Sequence, residues 1–151
     1  MFSSKSLKGW GIVIAVAVLA LAGGLAASEG ASLEVQVKYT GPGTVDEGHA
    51  IYVFVFDTPN IQAGSVPVAF SKVTANGEKA KFAALTASPV YIAATFDEQG
   101  GYDPTAAGPP PSGSPAALYS ADGTSAPSGV ELEAGKDKQI DFEFNDAFRM
   151  P

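Results

Sequence analysis

Between residues 33 and 39 the apolar side chains Leu33, Val35, Val37 and Tyr39 alternate with Glu34, Gln36 and Lys38. A period of two with one wet face predicts a β-strand. Gly41, Pro42 and Gly43 break the pattern. Residues 50–56 then begin a second strand in which both parities are apolar, Ile51, Val53 and Val55 on one side and Tyr52, Phe54 and Phe56 on the other. A strand with two apolar faces is expected to be central or covered. After Thr58, Pro59 and Asn60 a third strand is predicted over 66–73, and Asn76-Gly77 supplies the two residues that tolerate positive φ in a tight hairpin leading to a fourth over 79–85. Residues 90–96 make a fifth, with Val90, Ile92, Ala94 and Phe96 inward. The last two, 130–133 and 138–144, are joined across Gly135, and Ile140, Phe142 and Phe144 alternate with polar neighbours in the second of them.

Seven short strands without a helical period after residue 32 predict an all-β fold, a seven-stranded antiparallel β-sandwich. Its expected core is Leu33, Val35, Val37, Ile51, Val53, Val55, Phe82, Ile92, Phe96, Ile140, Phe142 and Phe144. Residues 98–127 interrupt this pattern, because six of the eleven prolines fall there among Gly, Ser and Ala. Such a stretch is not expected to join a ladder. A connection of that length is functional or disordered, and Tyr102, Leu118 and Tyr119 give it anchors, so an ordered loop packed on the sandwich is expected.

The first 26 residues have a different character. Lys5 and Lys8 precede an apolar run over 10–22, followed by the mostly small residues 23–28. This is the order of a secretory signal peptide, with cleavage after Ala26 or Ser28. The uncleaved alternative is a membrane anchor, since residues 10–27 approach the roughly 20 apolar residues that span a bilayer. The expected organisation is therefore a signal peptide over 1–26, a short linker over 27–31 and a single domain over 32–151.

Charge and composition narrow the function. Without Lys5 and Lys8 the chain carries seven basic against sixteen acidic side chains, a net charge of −9. That surface repels phosphate backbones and argues against nucleic acid as a partner. The absence of cysteine excludes disulfides, thiolate metal sites and cysteine nucleophiles. An acidic, cysteine-free exported chain suits a bacterial periplasm or exterior.

The segments IYVFVFD (51–57), VPVAFSKVTANGEKAKFAAL (66–85) and SPVYIAATFDEQGGYD (88–103) resemble those of the transthyretin-like, or carboxypeptidase-regulatory-like, class of bacterial exported β-sandwich domains. The resemblance implies a non-catalytic module of the cell envelope. Relatives often carry an aspartate- and asparagine-rich turn of calcium-loop type after the "FD" strand, and this chain departs from it at Gln99 and Gly101.

Chemistry is sparse. Asp97, Gln99 and Asp103 offer the oxygen-only donors that a hard cation such as calcium prefers, so a weak calcium site is one expectation. The other is a solvated turn whose aspartates accept backbone N–H groups. His49 is the only histidine, and no G-x-S-x-G or H-E-x-x-H motif occurs. Tyr52, Phe54 and Phe56 would form an apolar patch that something covers, either the long loop through Tyr102, Leu118 and Tyr119, or a partner. The leading expectation is a non-enzymatic module, without a cofactor, that presents loops to an envelope or extracellular protein or a small ligand. The alternative is a secreted hydrolase in which Asp57, Asp97 and Asp103 converge.

Overall fold

The computed structural model describes residues 29–106 and 108–151, so the expected signal peptide over 1–26 and most of its cleavage region lie outside the described residues. Seven strands make two sheets, and no helix occurs among the described residues. They are β1 (Ala31–Tyr39), β2 (Ile51–Phe56), β3 (Ala69–Val73), β4 (Lys79–Leu85), β5 (Tyr91–Phe96), β6 (Ala116–Leu118) and β7 (Asp137–Phe144). One sheet has the order β4-β1-β7 and the other β3-β2-β5-β6.

Register follows hydrophobic parity. In the three-stranded sheet Val35 lies between Ala80 of β4 and Ile140 of β7, and Val37 lies beside Phe142. All five side chains are buried against the other sheet, as they must be if a one-residue slip would turn every apolar group to water. All twelve expected core residues are buried. Where β1 meets β4 the register shifts by one residue between Ala31 and Leu33, and Ala84, the extra residue of β4, takes a φ of 56°. The backbone approach there is close: a Cβ on Gly30 would lie 2.2 Å from the Ala84 Cα, so only glycine fits at position 30.

Four expectations are corrected. The fold is not wholly antiparallel, since β1 and β7 pair in parallel from Ser32–Asp137 to Tyr39–Phe144; parity places the same side chains inward for either direction. Asn76-Gly77 is not a hairpin turn but the crossing from β3 in one sheet to β4 in the other. Gly77 does take positive φ, at 84°, while the Asn76 amide accepts the Tyr39 N–H at 2.8 Å and donates to the Tyr39 carbonyl at 2.7 Å, closing the end of β1. The segment 130–133 does not pair with β7; it contributes only the bridge from Val130 to Val90. The remaining strand, β6, lies inside the proline-rich stretch and pairs with β5. Pro115, just before it, has no N–H to offer, but its carbonyl accepts the Phe96 N–H and the Thr95 hydroxyl, each at 2.9 Å.

Antiparallel β2 and β5 define two poles. One gathers the segments 40–50, 74–78, 97–115 and 145–151, and the other gathers 57–68, 86–90 and 119–136.

Candidate functional site

The pole after β5 is built around Asp97. The β5 strand ends at Phe96, whose ring packs 4.5 Å from that of Tyr39. The next backbone N–H, of Asp97, donates to the Ala50 carbonyl at 2.9 Å. The Asp97 side chain is only 2% exposed. Its Oδ1 accepts the Gly100 N–H at 3.0 Å and its Oδ2 accepts the Tyr102 N–H at 2.8 Å. A buried carboxylate is tolerated when charge-assisted hydrogen bonds replace its water, and here the turn it closes supplies them. Gly100 and Gly101 make the reversal with φ of 78° and 80°. A Cβ on Gly100 would lie 2.9 Å from the Gly48 carbonyl, so the turn rests directly on the loop before β2.

Beyond the turn, the loop is pinned at successive points. The Tyr52 hydroxyl donates to the Tyr102 carbonyl at 2.9 Å, and the two rings meet edge to face at 5.1 Å. Burial pushes both phenols above their usual range, with the Asp97 and Asp103 charges adding to the effect. The Gln99 amide donates to the Ser112 carbonyl at 3.2 Å. The chain's one arginine, Arg149, donates to Glu98 at 2.7 Å, to the Gly113 carbonyl at 2.8 Å and to Asp146 at 3.1 Å. The terminal segment lies alongside residues 113–116 through Gly113 N–H to Met150 O, Met150 N–H to Ser114 O and Ala116 N–H to Phe148 O, leaving the Phe148 side chain 59% exposed. Ser114 is buried, and its hydroxyl has no hydrogen-bond partner among the described residues.

The three oxygen donors of the expected cation site face different neighbours. Asp97 is turned to Gly100 and Tyr102, Gln99 to Ser112, and Asp103 to the N–H and hydroxyl of Thr105 at 2.9 and 2.6 Å. No group of three His, Asp or Glu able to hold a metal occurs among the described residues. A hard cation takes six or more oxygens directed at one point.

Nor do the carboxylates of the hydrolase alternative converge. Phe56 pairs with Tyr91 and Ile51 with Phe96, so Asp57 and Asp97 follow opposite ends of two paired strands. Seven steps of about 3.3 Å separate them, roughly 20 Å, against about 5–9.5 Å for the carboxyl pair of a glycosidase. His49 is exposed and paired through Nδ1 with Asp46 Oδ1 at 3.0 Å. That hydrogen bond, joined by the backbone N–H groups of His49 and Gly48, holds the Asp46 carboxyl below its usual range.

The aromatic face of β2 is covered. Tyr52, Phe54 and Phe56 form a second apolar cluster with Ala50, packed by Ile61, Tyr91, Ala93 and Tyr102. Tyr102 is the contribution of the long loop, whereas Ile61 comes from the β2–β3 connection, which the hydrophobic pattern did not single out. Tyr119 is placed differently from expectation: it joins the core between the sheets, 5.6 Å from Phe142. Val130 N–H to Val90 O, together with Tyr119 N–H to Ile92 O, draws that part of the chain inward. Arg149 and Phe148 are parts of this pole that the sequence reading does not include, although a lone arginine in so acidic a chain is a signal that points there.

Compared with known proteins, the chain matches no family model, no curated protein and no solved structure.

Proposed function

We propose that this chain is an exported, non-catalytic β-sandwich module of transthyretin-like, carboxypeptidase-regulatory-like type, which binds an envelope or extracellular protein or a small ligand through the pole formed by residues 97–115 and the terminal segment. The observation that carries this reading is the attachment of the long loop. Asp97, Gln99 and Arg149 tie it down at both ends while Phe148 and the prolines at 109–111 remain at least partly accessible. A loop held by a rigid two-sheet body loses little entropy on binding, which is the usual division of labour between scaffold and loop. Seven strands in two sheets support the family placement. The charged, apolar and small-residue order of residues 1–28 supports export.

The experiment is a loop exchange. Replacing residues 104–110 by a short Gly-Ser link spares Ser114, Pro115 and β6, which belong to the sheet. The variant is expected to fold and to lose retention by envelope fractions of the producing cell, while Lys81→Ala, on the far sheet, retains it. Equal retention of both variants would reject this pole as the binding surface.

A further inference from the structure

The two sheets have four outer strands, and three are protected against pairing with another chain. Strand β4 presents exposed Lys79 and Lys81, and β7 presents Asp137, Lys138, Asp141 and Glu143. The edge of β6 and the residues before it are covered by the terminal segment, through Ala116 N–H to Phe148 O and Met150 N–H to Ser114 O. Charges and covering segments are the ordinary devices that keep sheet edges from associating. Among the described residues β3 has no covering segment, and Lys72 is its single charge. Among those residues it pairs only with β2, and Val66, Val68 and Phe70, at alternate positions on or leading into it, are 83%, 49% and 42% exposed. Phe70 stands opposite Phe54, so this exposed row continues the covered aromatic face of β2 outward to the edge.

The charge distribution identifies the occupant. None of the sixteen Asp and Glu residues falls between Asp57 and Glu78, and Lys72 is the single charge in that interval. Two copies of so acidic a chain repel one another over most of their surface, but not here. We propose that β3 is a self-association edge, where two copies pair antiparallel about a two-fold axis at Phe70 and join two four-stranded sheets into one of eight. This register uses all of β3, ends where Pro67 has no N–H to donate, sets Phe70 against Phe70 of the second copy, and sets Val68 against Lys72 of the second copy. Moving the centre to Lys72 would oppose two lysines, which is unfavourable. An isologous contact consumes both β3 edges and closes at the dimer. The contact is short relative to the roughly 1,000 Å² of a stable interface, so the dimer is concentration-dependent.

Sedimentation equilibrium on the intact protein from about 1 to 500 µM tests this. The expected result is a reversible monomer–dimer equilibrium. Val68→Lys sets a second lysine opposite Lys72 and is expected to weaken dimerisation by about tenfold or more, whereas Val68→Glu sets a carboxylate there and is expected to match or strengthen it. Position 68 is solvent-exposed, so both variants are expected to keep the wild-type circular dichroism spectrum. A protein that stays monomeric throughout, as it would if its own N-terminal segment or a different partner occupied the edge, overturns the proposal. So does open-ended association, or equal weakening by the two substitutions.

Discussion

The Asp97 carboxylate accepts the backbone N–H of Tyr102 at 2.8 Å from a position that is almost wholly buried. One side chain thereby fixes where the long loop leaves the sheet. Replacing it removes the acceptor of the Tyr102 N–H and leaves the Gly100 N–H only the longer bond to the Asp97 backbone carbonyl, at 3.3 Å. Asp97→Ala is expected to destabilise the fold by about 1.5–3 kcal/mol, the scale for hydrogen bonds to a charged group. Asp97→Asn keeps one acceptor and should fall between. Urea unfolding at neutral pH measures both; an Ala variant within about 0.5 kcal/mol of wild type would show that the carboxylate does not hold the turn.

The two glycines of that turn separate backbone strain from packing. Both have φ near 80°, but a Cβ at Gly101 meets nothing within 4 Å among the described residues, whereas one at Gly100 meets the Gly48 carbonyl. Gly101→Ala is expected to cost about 1–2 kcal/mol, the left-handed penalty alone. Gly100→Ala should cost measurably more. Equal melting temperatures for the two variants would mean that the turn does not rest on the loop before β2.

Acid sensitivity is expected at the other pole. The Asp122 carboxylate accepts the Ser120 hydroxyl at 2.7 Å and the Thr124 N–H at 3.0 Å, which lowers its pKa to about 2. A pKa lower in the folded chain than in the unfolded one contributes stability that is present above the unfolded value of 3.8 and lost as pH falls through about 2. The slope of stability against pH between these values should therefore be shallower in Asp122→Asn. An NMR titration midpoint for Asp122 near 3.8 would contradict it.

Calcium is expected to leave the melting temperature unchanged, since Asp97, Gln99 and Asp103 are each engaged with a different neighbour. An ion bound to the folded state raises apparent stability by mass action. A rise at several millimolar calcium that chelator reverses and Asp97→Ala abolishes would show that these donors converge after all.

How far the fold was legible depends on where parity carries information. In β1 and β7 one apolar face and one polar face determine which side chains enter the core, and the doubly apolar β2 announces that its outer face is covered. Parity is silent on strand direction, so the parallel pairing of β1 with β7 could not be read from it. Strand β6 has three residues, Ala116, Ala117 and Leu118, with no polar alternation and a proline on its flank. Only the neighbouring β5 makes it a strand. At the candidate pole the acidic turn was visible as a cluster of oxygen atoms, and the choice between cation and backbone N–H as their partner depended on geometry. Arg149 lies 51 residues from Glu98, and that separation has no local signature.

The most direct measurement of the loop's rigid attachment is amide hydrogen exchange at Gly100 and Tyr102. Both are loop amides, which ordinarily exchange near the unfolded rate. With their N–H groups held by a buried carboxylate they should exchange at least about a hundredfold more slowly than the unfolded chain, and Asp97→Ala should remove that protection at Tyr102 while leaving the β2 amides protected. Exchange at the unprotected rate in the wild-type protein would mean that residues 97–115 are not held by Asp97, and the proposed binding pole would lose its foundation.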